Sequence, residues 1–211
     1  MSTRLRALGA VVAIVLLTGG CAAGTHPGAA AVVGKTEISI GDVDKTSQAV
    51  TTALGQNYNT AAALSDLVNN AILGQIQQEK SVPVTPAETA AAARSAVGDD
   101  DATYQKFQTD TVSRDFLNAV ATAAVVTVKL GGGTVKDLQD QAKLQQGLLA
   151  VKDASKNITV SVAPRFGQWT DGKLDTTVSG SLSVESDQTA AKRKAAADAA
   201  QQAQGQGQPQ G

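Results

Sequence analysis

Cys21 and His26 are the only cysteine and the only histidine in the chain, so thiol or soft-metal chemistry would have to run through these two side chains. A nucleophilic thiol needs a base held against it by a third group. His26 stands a few residues after Cys21 in CAAGTHPGAA, a stretch of Ala, Gly and Pro with nothing to orient an imidazole. One Cys and one His also fall short of the ligand sets that zinc takes. LGGGTVK at 130–136 offers glycines, as a phosphate loop would. It lacks both the Gly-Lys-Ser/Thr ending and the Gly-x-Gly-x-x-Gly spacing, and no strand precedes it, so it reads as a helix-to-helix loop. GDDDATY at 98–104 has adjacent rather than alternating carboxylates and no Glu closing a calcium loop, so it reads as a helix cap with solvated charges. No catalytic, metal or cofactor site stands out, and the expectation is a protein that is not an enzyme.

What remains for Cys21 is a covalent handle. Arg4 and Arg6 precede an apolar run from Ala7 to Leu17, and the small residues Thr18, Gly19 and Gly20 lead to Cys21. A basic start, a short apolar stretch and a small-residue exit describe a secretory signal peptide. The run is well below the roughly twenty residues needed to span a bilayer. Cysteine directly after the small residues resembles a bacterial lipoprotein processing site, where the thiol takes a diacylglycerol before cleavage. Such sites usually carry Leu three residues before the cysteine; here Thr18 holds that place and Leu17 lies one step further off. The competing reading is a plain signal peptide cleaved nearby. Each buried lipid methylene contributes about 0.8 kcal/mol, and stable anchoring takes more than one chain. A processed lipoprotein carries at least two, so the expected location is the outer face of the bacterial cytoplasmic membrane, anchored through Cys21. In a bacterial chain the sequon Asn157-Ile158-Thr159 carries little weight.

The 211 residues allow one domain of ordinary size with a tail. A net charge of −1 leaves no basic footprint for nucleic acid. With 3% aromatic residues the core must rest on Val, Leu, Ile and Ala. The expected division is a signal peptide over 1–20, a lipid-anchored linker over 21–30, a helical domain over 31–185 and a disordered Ala/Gln/Gly-rich tail over 186–211. That tail cannot bury enough apolar surface to fold. Its Lys192-Arg193-Lys194 trio is a solvated run by default, with weak contact to anionic lipid or wall polymer as the alternative.

Within the domain, Val32, Val33 and Ile38 flank Gly34-Lys35 and suggest a short strand, a turn and a helix start capped by Ser39 and Asp42. That helix places Val43, Val50 and Leu54 on one face and ends near Gly55. The next puts Leu64, Leu67, Val68, Ala71, Ile72 and Ile76 at helical spacing, with Asp66, Asn69, Gln77 and Glu79 facing away. Thr85, Pro86 and Glu88 signal a third, nearly all-Ala helix. Asp101 is expected to cap one long helix carrying Tyr104, Phe107, Phe116, Leu117, Val120 and Val125; Thr134 with Asp137 opens another through Leu138, Ala142, Leu148 and Leu149. Ile158, Val160 and Val162 then alternate with polar residues, as in a strand. A strand needs a partner for its peptide groups. The other candidate is around Val32 to Ile38, so the fold expected is mainly α, with a small two-stranded β element pairing the ends of the domain. Tyr104, Phe107, Phe116, Phe166 and Trp169 are mostly core by default, and the alternative is that some line a groove.

VVGKTEIS, the capped helix with its Asp-Val-Asp step, and LSDLVNNAILGQIQQEKSVPVTPAE together resemble the N-terminal domain of SurA-like periplasmic chaperones, whose relatives include PrsA-type foldase lipoproteins and trigger factor's C-terminal region. The matching positions are Gly34, Ile38, Ser39, Leu64, Leu67, Val68, Val82, Val84, Thr85 and Glu88. Arg165, Phe166, Gly167 and Trp169 resemble the family's return strand, and the likeness covers about residues 31–183. Full-length members often insert a parvulin prolyl-isomerase domain before the return strand. Here the interval 131–157 is too short for one and no His follows His26, so the resemblance implies a chaperone-like cradle without isomerase activity.

The expected function is therefore membrane-anchored, chaperone-like binding of unfolded or extended exported polypeptides, with no nucleic acid and no small-molecule substrate as partner. The rival is a scaffolding envelope lipoprotein that binds one folded partner, which the low aromatic content favours.

Overall fold

A two-residue turn at Gly34 sets the start of the fold. The structure, a computed structural model, describes residues 27–178; the segment read as a signal peptide, Cys21, His26 and the segment read as a tail from 186 lie outside the described residues. β1 (Ala29–Val33) and β2 (Thr36–Ser39) form an antiparallel hairpin in which Val33 faces Thr36. Gly34 has φ +53°, and a Cβ there would collide with the Gln75 side chain, whose Nε2 donates to the Val33 carbonyl at 2.6 Å. β3 (Val160–Val162) pairs antiparallel with β1 on its other side, Ala31 opposite Val162 and Val33 opposite Val160. The ends of the domain therefore meet, as the alternation of Ile158, Val160 and Val162 led us to expect.

The β element is larger than two strands. Because the Gly34 turn folds Thr36–Ser39 back on β1, the sheet has three strands in the order β2-β1-β3. A separate hairpin follows, β4 (Gln168–Thr170) with β5 (Lys173–Asp175). Arg165 and Phe166 lie in a 3-10 turn between β3 and β4 rather than in a return strand. The sheet also reaches back into the segment read as linker: Ala29 and Ala30 are almost fully buried, Ala30 at an irregularity in the β1–β2 register.

Six α-helices complete the described residues: α1 (Ile40–Leu54), α2 (Thr60–Glu79), α3 (Pro86–Ala96), α4 (Asp101–Thr109), α5 (Thr111–Leu130) and α6 (Gln141–Ala154). The molecule is mainly helical with a small antiparallel sheet, and no described helix is long and apolar enough to cross a membrane. Ser39 with Asp42 and Thr85 with Glu88 form reciprocal capping boxes, and Gly55 ends α1 in the left-handed region. The long helix expected from Asp101 is two. Asp110, extended at φ −118°, closes α4 and caps α5 by accepting from the Ser113 N–H. Asp100, not Asp101, caps α4. The Thr134–Asp137 box opens only a 3-10 turn, and Asp140 starts α6. Asp and Asn are such good caps that the nearest one to a break takes the role, whichever neighbour the sequence offers.

Two apolar clusters share α1. One joins the sheet to α2 through Val33, Ile38, Val43, Leu64, Val68, Ile72 and Ile76. The other gathers Val50, Phe107, Leu117 and Val125 with Ala92 and Ala93 of α3. α5 packs against all five other helices. Lys129 near its end holds Glu88 at 2.7 Å and donates to the Pro83 carbonyl at 2.6 Å, tying α5 to the start of α3.

These caps carry a pH dependence. The Lys129 ammonium and the Thr85 backbone N–H hold the Glu88 carboxyl below its usual range. The Thr103 hydroxyl and the Ala102 N–H do the same for Asp100, and the Thr134 N–H and hydroxyl, with Lys143, for Asp137. A carboxyl whose folded pKa is depressed contributes stability above its unfolded pKa of about 4 and loses it as pH falls through the folded value. The melting temperature should be flat above about pH 5 and fall below about pH 4, with a shallower fall in Glu88→Gln, as read by calorimetry across that range.

Candidate functional site

Residues that could do chemistry are used by the fold. Among the described residues no group of three His, Cys, Asp or Glu side chains could hold a metal ion. In the Asp99–Asp101 run, Asp100 accepts from Ala102 and Thr103, and Asp101 pairs with Arg94. The glycines of LGGGT form a helix-to-helix loop, where Gly131 lies against the Lys143 carbonyl of α6. Thr159 of the sequon gives its carbonyl to the Gly34 N–H at 2.8 Å.

Among the described residues, Tyr58 is the group pushed furthest from its ordinary pKa, and its partner is Asp66. The Tyr58 hydroxyl donates to Asp66 Oδ2, and burial first, then that hydrogen bond and the Asp66 charge, push the phenol's pKa up. The Tyr58 N–H donates to Thr51 Oγ1 at 3.0 Å, its carbonyl accepts from the Ser47 hydroxyl at 2.6 Å, and its ring meets Phe116 edge-on at 5.8 Å. With the phenol kept protonated and the N–H, carbonyl and hydroxyl of Tyr58 all engaged, the pair locks the α1–α2 connection. Asp66, expected to face solvent, is drawn in by this bond.

The most open apolar surface lies at α6. A Cβ on Gly147 would strike the Thr127 carbonyl of α5, and Gly147 is the only residue of α6 that is fully buried. The helix thus rests on α5 backbone to backbone, and Leu148 and Leu149 are left outside. Leu148 is 58% exposed and Leu149 67%. Beside Leu148 opens a groove of about 490 Å³ between α2, α6 and the β4–β5 hairpin, with Ile72, Val151, Ile158, Val160 and Trp169 as its apolar lining. Lys152, Lys156 and Asp171 stand at its rim. Lys156 is held by Asp153 at 2.8 Å, which keeps the Asp153 carboxyl below its usual range. A larger recess of about 580 Å³ beside the β1–β2 turn has a mixed lining, with Lys35, Gln75, Gln78, Glu79 and Asn157 beside Ala71 and Ile158.

Of the aromatic set, Trp169 alone lines the groove. Phe107 is buried, Phe116 packs on Tyr58, Tyr104 lies under Arg94 with the guanidinium 4.4 Å from the ring centre, and Phe166 lies under Arg165 at 4.7 Å. Sequence reasoning missed the role of Gly147, although a glycine inside an otherwise regular helical stretch is itself a sign of close backbone approach.

No known family model matches this chain, and no curated protein or solved structure is significantly similar to it.

Proposed function

We propose that this chain is an exported, lipid-anchored protein that binds unfolded or extended polypeptides after export, with no catalytic step and no prolyl-isomerase activity. The observation that carries the reading is the groove beside Leu148, whose lining includes Ile72, Val151, Ile158, Val160 and Trp169. Apolar side chains of an extended client would fill it and exclude water, with little demand on sequence. The SurA-like order of motifs supports the same reading, as does the signal-peptide pattern ending in Cys21. Membrane attachment would follow from lipid on Cys21. Eight residue steps from there to Ala29 would hold β1 within about 28 Å of the bilayer surface. A scaffold for one folded partner remains the second reading, favoured by the 3% aromatic content.

Mature protein purified from the membrane should suppress aggregation of a reduced, carboxymethylated polypeptide at near-stoichiometric amounts and leave proline isomerisation rates unchanged. Mass spectrometry of its N-terminus should find a diacylated Cys21. Absence of any effect on aggregation, with one folded protein co-purifying in fixed ratio, would turn the assignment to the scaffold.

A further inference from the structure

The rim of the groove beside Leu148 is positive at its α6 end. Lys152 lines the groove one helical turn after Leu148 and next to Val151. No described group pairs with its ammonium. Lys156, a further turn on, is held by Asp153 at 2.8 Å, and the charge of Lys80, at the end of α2, also acts on that carboxyl. Three ammoniums thus gather around one carboxylate where α2 and α6 end. The carbonyl ends of the two helices offset about half a charge each, which leaves the rim positive. The acid in the lining, Asp171, stands on the hairpin wall, and Glu79 and Lys35 balance each other in the neighbouring recess.

Charge beside apolar surface narrows what fits. The lining includes Ile72, Val151, Ile158, Val160 and Trp169, which gives apolar side chains of an extended segment surface to cover. A lysine next to such surface lays its methylene stem along the wall and keeps its head in water. A carboxylate a residue or two from a buried apolar side chain meets that head at the rim. Neither ion loses its hydration there, so the contact escapes the desolvation cost of a buried pair. Rim charges of this kind act on partner choice and association rate more than on total affinity.

We propose that the groove selects extended segments in which apolar residues lie beside Asp or Glu, and that Lys152 is the residue that reads the carboxylate. This deepens the polypeptide-binding reading above and rests on it. Segments flanked by Lys or Arg are disfavoured by the same field. Lys156 contributes less, because Asp153 already holds it.

Three labelled peptides test this, titrated by anisotropy against the full mature protein. They share an alternating Leu-Thr-Val-Thr core and carry Glu, Gln or Lys at both flanks. The Glu peptide should bind about three- to fivefold more tightly than the Gln peptide, and the Lys peptide more weakly than either. The spread should shrink in 1 M salt, where the Debye length falls to about 3 Å. Lys152→Gln should bring the three affinities to within about twofold, and Lys152→Glu should put the Lys peptide first. Lys106→Glu on α4, the same charge change away from the groove, should leave the native order. Equal binding of the three peptides to the native protein would overturn the selection, as would a reversal by Lys106→Glu equal to that by Lys152→Glu. Weaker binding of Lys152→Glu to phosphatidylglycerol vesicles, with the peptide order unchanged, would overturn it too, by making an anionic bilayer the partner. If the reduced, carboxymethylated polypeptide binds and the peptides do not, the selection fails alone; if neither binds, the polypeptide-binding reading fails with it.

Discussion

Gly147→Ala is expected to lower the melting temperature by about 3–9 °C. The added methyl would lie well inside contact distance of the Thr127 carbonyl oxygen and 2.8 Å from its carbon, and these are backbone atoms of α5 that cannot rotate away. Thr127 is itself fixed, its hydroxyl donating to the Ala123 carbonyl at 2.9 Å and its carbonyl accepting from the Gly131 N–H at 3.2 Å. Relief must come from moving α6, and over-packing of this kind costs about 1–3 kcal/mol. A domain of this size loses about 3 °C per kcal/mol, which gives the stated fall. Since α6 forms one wall of the groove, binding of extended chains should weaken in the same variant. Gly74→Ala is the control: its Cβ meets nothing within 4 Å, so it should be neutral or stabilising, by up to about 1 kcal/mol, because alanine is the better helix former. Thermal melts of the two variants beside the parent decide the matter.

Leu148→Asp should leave the melting temperature within about 1.5 °C and weaken binding of an unfolded polypeptide about 10- to 100-fold. Leu148 is more than half exposed, so the fold does not depend on it, and surface changes usually shift stability by no more than about 0.5 kcal/mol. In the complex the same side chain would be covered. Loss of about 1.5–3 kcal/mol of apolar burial corresponds to that range of affinity. Leu149→Asp is the comparison that separates groove from general stickiness. Leu149 is the more exposed of the two and does not line the groove, so its replacement should change affinity by less than about threefold. A titration followed by anisotropy of the labelled polypeptide reads both. Equal losses in the two variants would mean that the whole face of α6 binds, and that the groove has no special part.

Helix positions were legible where caps and spacing agree. Ser39 with Asp42 and Thr85 with Glu88 fix two starts by local bonds alone, so no tertiary information was needed to find them. The break at Asp110 was not legible, because Gln108-Thr109-Asp110 looks like an ordinary exposed helix turn until Ser113 and Phe107 are seen to pack around it; the Ser113 hydroxyl donates to the Phe107 carbonyl at 2.9 Å in the interior. The third strand was half legible. Gly34-Lys35 announced a turn, but whether the chain folds back there depends on Gln75, far away on α2, capping the Val33 carbonyl. The groove was the least legible. Leu148 and Leu149 read as ordinary apolar residues of an amphipathic helix, and only the contact of Gly147 with α5 turns that face outward. Trp169 could be flagged as an aromatic of interest, yet nothing in the order of residues separates it from Phe107, which is buried.

The central claim is that extended chains bind under Leu148. A photoreactive benzophenone side chain placed at position 148 of the full mature protein, irradiated with a reduced, carboxymethylated polypeptide, tests it directly. The account predicts an adduct that excess unlabelled polypeptide competes away and that exceeds, at least tenfold, the adduct from the same probe at Ala91, on the exposed face of α3. Equal adducts from the two positions, or none from 148 while binding is measurable, would contradict it.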